Sequence, residues 1–146
     1  MAYCTLDDIK QQVSEITLIE ITDDNQANEI NTNIIDKAIL YSETLIDGYL
    51  RGRYTLPLAT IPVLIKILAA DLTIFRLYSR RFQADMPDSI NDKYKNSIKL
   101  LEQIQKGVVS LGIETADTPP KLGEYRTNKT SNDRIFTKSF INKFCR

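Results

Sequence analysis

"IPVLIKILAADLTIFRLYSRR", residues 61–81, is the stretch whose reading decides the fold. Pro62 suits the first turn of a helix, where its missing N–H costs nothing. From Val63 to Tyr78 apolar side chains then fall on nearly every side, running to about Arg81. A helix apolar all round must sit amid other helices or against a neighbouring subunit. Lys66 and Asp71 interrupt the run, so it cannot offer a bilayer the ~18 uncharged residues that a span needs.

Working back towards the N-terminus, "IDGYLRGRYTLPL", residues 46–58, turns one long helix into this one. Ile34, Ile35, Ala38, Ile39, Leu45, Ile46, Tyr49 and Leu50 recur at spacings of three and four, the mark of an amphipathic helix. Gly52 is placed to end that helix in a left-handed conformation. Pro57 forbids further helix and biases Leu56 towards an extended shape. Earlier still, Thr5 with Asp8 forms a capping-box pattern opening a short helix. "SEITLIEITDD" fits a second short helix or a strand, and a polar loop follows it.

Working forward, "DMPDS" breaks the apolar helix, and Ser89 with Asp92 is expected to cap another. Its stripe is Ile90, Tyr94, Ile98, Leu101, Ile104 and Val108, with Gly107 near its end. After Leu111 the pattern fades into "ETADTPPKLGEYRTNKTSND", polar and aperiodic, which reads as a flexible linker. "RIFTKSFINKF" then closes the chain with Ile135, Phe136, Phe140, Ile141 and Phe144, an apolar motif beyond a polar leash. Folding back into the core and docking on another subunit are both open to it. The expected fold is therefore all-α. A small helical bundle over residues 1–112 has two long central helices and a further C-terminal helix, and residues 113–146 form a linker and docking arm.

Charge and composition narrow the function. Lys plus Arg number 19 and Asp plus Glu 19, so no global charge steers the chain onto nucleic acid or an anionic membrane. The basic excess sits in the tail, where Lys121, Arg126, Lys129, Arg134, Lys138, Lys143 and Arg146 face only Glu124 and Asp133. Cys4 and Cys145 lie near opposite ends. A disulfide between them is possible, but the N-terminus has no signal-peptide pattern, which favours free thiols in a reducing compartment and a soluble intracellular chain.

Chemistry is scarce. There is no histidine, which removes the commonest general base and metal ligand and excludes Ser-His and Cys-His pairs. Five glycines include neither a P-loop nor a dinucleotide-binding pattern. The loop carrying Asp23, Asp24, Asn25, Asn28 and Glu29 faintly resembles a calcium loop. It lacks the turn glycine and the distant bidentate glutamate, so a solvated loop is the better reading. Asp71 on the apolar helix is expected to pair with Arg51 or Arg53 rather than to catalyse. Arg51, Arg53, Arg80 and Arg81 read as solvated or interface arginines more than as phosphate contacts. No enzyme, cofactor or metal site is expected.

With these residues in view, "IDGYLRGRYTLPL" followed by "IPVLIKILAADLTIFRLY" resembles the head–tail joining (adaptor or connector) proteins of phage Mu-like prophages. Those carry a similar "ID-x-YL-x-x-RY-x-LPL" run before a proline-started apolar helix. The resemblance covers roughly residues 3–112, and the terminal "DRIFTKSF" looks like endings found there. The loop near Asp23 departs from the family, being less acidic and less glycine-rich. The resemblance implies an all-α structural adaptor in the virion neck. It would assemble with itself as a ring between the portal protein and a tail-side neck protein, with DNA passing through the channel. Arg51, Arg53 and Tyr54 would fix the turn or face a neighbour, and Arg134, Phe136, Phe140 and Phe144 would belong to the docking arm. The alternative is a small cytoplasmic helical regulator binding nucleic acid or a protein. Against it, a helix-turn-helix wants a short turn and a basic recognition helix, and here the turn is longer and the next helix apolar.

Overall fold

The computed structural model describes residues 2–81 and 86–116. Five helices follow one another: α1 (Leu6–Lys10), α2 (Glu15–Thr22), α3 (Thr32–Leu50), α4 (Val63–Ser79) and α5 (Asp88–Lys106). Among the described residues there is no strand, only one isolated bridge between Tyr54 and Thr115. The described residues are all-α, as the periodicity of the sequence indicates.

α4 is the axis of the molecule. Ile65, Leu68, Ala69, Ala70, Leu72, Thr73, Ile74 and Leu77 are all buried in it, which accounts for a helix apolar on nearly every side. α3 and α5 pack against α4 and against each other, while α1 and α2 cover its remaining side. Ser42 opposite Thr73, and Tyr41 beneath the Arg76 guanidinium, set α3 and α4 antiparallel. Phe75 stacks on Tyr94 with ring centroids 3.8 Å apart, joining α4 to α5.

Polar groups inside this core are matched. Thr73 Oγ1 lies 2.7 Å from the Ala69 carbonyl and 2.9 Å from Ser42 Oγ, and Ser42 itself donates to the Ile39 carbonyl. Cys4 Sγ meets Thr73 Oγ1 at 3.6 Å, so the N-terminal segment joins the same chain of hydroxyls. Burial pushes the Cys4 thiol up, which keeps it protonated. Tyr3 adds two ties to α3, donating its N–H to Glu43 and its hydroxyl to Asp47. Cys145 lies outside the described residues.

Helix ends show where local signals governed and where they did not. Thr5 and Asp8 form the expected capping box on α1. "SEITLIEITDD" is helical, with Ser14 accepting from the Thr17 N–H as its cap. Gly107 ends α5 in the left-handed region at φ 82°. Gly52, by contrast, is not left-handed. α3 passes through Arg51 at φ −52° and ψ −34°, and the Leu50 carbonyl takes the N–H groups of both Arg53 and Tyr54. A tightening turn satisfies the helix end, so no left-handed residue is required. Ser89 does not cap α5 either. Pro87 stands at the cap, its preset φ of −57° leading straight into Asp88, which places Ser89 inside the helix.

Candidate assembly interface around the 51–58 corner

Between α3 and α4 the chain makes a corner that grips a distant helix. Arg53 Nη1 donates to the Ile104 carbonyl at 3.3 Å, near the end of α5, and shares that acceptor with the Gly107 N–H that closes the helix. The guanidinium also suits the negative end of the helix dipole. It lies 5.7 Å from the ring centroid of Tyr54, within cation–π range. Arg53 thus belongs to the end of α5.

Tyr54 is an interior residue, 2% exposed. Its hydroxyl accepts the Leu111 N–H at 3.2 Å, and the Ala116 N–H reaches back to the Arg53 carbonyl at 2.8 Å. Val109, Leu111 and Ile113 pack onto the core alongside. The fold therefore continues past residue 112 through Ala116. Leu58 is buried as well, and Leu56 precedes a cis bond to Pro57. Of the three residues singled out in this corner, Tyr54 and Arg53 hold the protein's own segments together, and Arg51 points to solvent. Arg134, Phe136, Phe140 and Phe144, and with them the docking arm, lie outside the described residues.

A second arginine pair does similar work at α2. Arg80 makes a two-pronged contact with Asp24 at 2.6 and 2.7 Å and also donates to the Ile21 carbonyl. Arg81 donates to the Asp23 carbonyl at 2.6 Å. The Arg80 hydrogen bonds, opposed by some desolvation and aided by Arg81, hold the Asp24 carboxyl down at about 2. Asp23 is spent within its own loop. Partial desolvation pushes its carboxyl up, but the N–H groups of Ala27, Asn28 and Asn25 outweigh this and leave it below the ordinary value. The loop is closed by hydrogen bonds and arginines, and the described residues hold no cluster of three or more metal-ligating side chains.

Asp71 does not pair with Arg51 or Arg53. It lines a cavity of about 280 Å³ together with Gln12, Tyr78 and Lys93. Burial raises its carboxyl above the ordinary value, opposed by the Lys93 charge and a hydrogen bond from Gln12. Spacing along the sequence suggested the arginines, yet α4 turns Asp71 towards α1 and α5, away from the corner that holds Arg53.

The groove between α3 and α5 escaped the sequence reading. Tyr41, Leu45 and Tyr49 follow one another at four-residue spacing on α3, and with Thr44, Gly48 and Gln105 they line an open apolar trough of about 410 Å³. Arg76 covers the Tyr41 ring at 4.7 Å. The repeat 41–45–49 was the available signal, hidden because the same residues fit the stripe of a core-facing helix. Further apolar side chains stand in solvent on α3 and α4, with Leu40 61%, Val63 72% and Ile67 49% exposed.

Comparison with known proteins bears on this surface. The family described as Bacteriophage Mu, Gp36 matches residues 3–129, most of the chain. Gene product J of Escherichia phage Mu is 24% identical over 139 residues, covering 94% of this chain and 96% of that protein. The Mu-like prophage FluMu protein gp36 of Haemophilus influenzae is 28% identical over 92 residues, 63% of this chain and 62% of that one. No helix among the described residues is long and apolar enough to cross a membrane. This helical bundle is a protein of Mu-like phages and prophages, and it belongs to the Bacteriophage Mu Gp36 family.

Proposed function

We propose that this chain is a structural, non-enzymatic adaptor of the head–tail junction. In this reading copies assemble as a ring in the virion neck, between the portal protein and a tail-side neck protein, with DNA passing through the centre. The observation that carries the reading is apolar side chain left in water on α3 and α4, outside the buried core. Leu40, Val63 and Ile67 cost solvation in a monomer and are spared it when another protein covers them. Membership in the Mu Gp36 family supports a phage role for that covering. The charged clusters at Arg53, Arg80 and Asp24 support it too, since they are engaged in closing helix ends and loops.

The test is assembly in defined mixtures. The purified full chain, alone and mixed with the portal protein of its own phage, is weighed by light scattering and imaged by electron microscopy. Closed rings, or a complex at the portal vertex, are expected. A chain that stays monomeric in both mixtures rules the adaptor ring out. In the phage, removing the gene should leave filled heads and separate tails, and joined particles would overturn the reading.

A further inference from the structure

We infer that the α3–α5 groove is the receptor for the C-terminal segment Arg134–Phe144 of an adjacent copy, an inference that rests on the ring reading above. Three observations converge on it.

The first is Gly48. It stands inside a 19-residue helix, where glycine is unfavourable relative to alanine. Neither a positive φ nor a crowded neighbour calls for it, since a Cβ built there meets nothing within 4 Å. The missing side chain leaves the floor of the trough open between Tyr41, Leu45 and Tyr49. A helix that gives up a side chain over open space leaves room for a close approach from outside.

The second is the place where the described chain ends. Ala116 is tied to the Arg53 carbonyl, Arg53 lies against Gly107, and Gln105 of the groove is two residues before that glycine. The described chain therefore ends at the same end of α3 and α5 as Tyr49 and Gln105 of the trough, with 30 residues of sequence still to follow.

The third is what those residues carry. Phe136, Phe140 and Phe144 repeat at four-residue spacing, like Tyr41, Leu45 and Tyr49 on α3, with Ile135 and Ile141 alongside. Large apolar side chains need an apolar partner, and the trough offers one of aromatic character. Length decides which copy supplies it. Eighteen residues separate Ala116 from Ile135, and a connector of that length spans up to about 60 Å. A domain of this size is roughly 35 Å across, so the connector can reach the groove of the next copy.

The chain contains its own probe. Cys145 adjoins Phe144, and Cys4 is 1% exposed and stays silent. In the full-length Gln105→Cys variant, mild oxidation should produce a ladder of disulfide-linked dimers and larger species. Such a bond requires Cα atoms within about 7 Å of each other, so it reports the segment at the groove. The ladder should form at least about tenfold faster than in a Glu20→Cys control on α2, as expected for sites held together. It should vanish when Cys145→Ser is added and weaken with Phe140→Ser. Light scattering on the unmodified chain reads assembly separately. Rings without a ladder overturn the groove assignment and leave the adaptor reading standing. A monomer without a ladder removes both. A cross-link confined within single chains overturns the adjacent-copy occupant.

Discussion

The guanidinium of Arg53 occupies the space that a side chain on Gly107 would need. Two residues far apart in sequence are fitted to each other, because Gly107 takes φ 82° and its open face admits Nη1 to the Ile104 carbonyl. Gly107→Ala would strain the backbone and displace the arginine at once. The expected loss is about 1–2 kcal/mol for the left-handed conformation, plus about 1 kcal/mol for the hydrogen bond. In an Arg53→Ala background only the backbone part should remain. A double-mutant cycle by urea denaturation checks this, and additivity would contradict the fit.

Tyr54→Phe removes the acceptor of the Leu111 N–H while keeping the buried ring. A loss of about 1 kcal/mol is expected, since a partly buried donor is left without a partner. Hydrogen exchange locates the effect. The amides of Leu111 and Ala116 should exchange faster, and those within α4 should not.

Acid should loosen the α2–α4 clasp. The Asp24 carboxyl is held at about 2 in the folded chain, against an ordinary value of 3.8. A depressed carboxyl contributes stability that is complete above the ordinary value and disappears as pH falls through the folded one. The melting temperature of the unmodified protein should therefore drop between about pH 4 and 2 by more than that of Asp24→Asn. The two curves should converge near the bottom of that window. Because the pair is solvent-exposed, added salt should shrink the difference at neutral pH.

Asp71 has the opposite sign. Its carboxyl is raised by burial, so ionisation disfavours the folded state, and the cost is present above the folded value and absent below the ordinary one. Asp71→Asn should raise the melting temperature at pH 7 and lose that advantage in acid. Combined with Arg53→Ala it should be additive, because Asp71 faces Gln12 and Lys93 while Arg53 faces Ile104.

Gly48→Ala should stabilise the isolated protein by about 1 kcal/mol, the difference in helix propensity, since nothing crowds the new methyl group. Thermal melting checks this. A drop in melting temperature would mean that the glycine serves its own domain.

The helical architecture could be read from the sequence because it rests on short-range periodicity. α4 is apolar on all sides and lies in the centre, and Leu68 is 3% exposed. The Thr5–Asp8 capping box and the left-handed Gly107 were legible because each involves neighbours in sequence. What escaped depends on contacts across the fold. Nothing local says that Arg53 meets Ile104, 51 residues later, or that Asp71 turns towards Gln12 and Lys93. Gly52 and Ser89 misled for a related reason. Each carries the residue type of a helix end, but the Leu50 carbonyl and Pro87 had already settled those ends by other means. The groove was missed because Tyr41, Leu45 and Tyr49 satisfy a core-facing pattern equally well.

The fastening of Ala116 to Arg53 has a bearing on how such a protein diversifies. Everything after residue 116 departs from one anchorage built by the domain itself, in which the backbone of Arg53 and the hydroxyl of Tyr54 set the direction of departure. The backbone contact is indifferent to the identity of the residue it holds. A descendant could exchange that entire portion for another sequence, and so acquire a different neighbour, while its point of departure stayed unchanged.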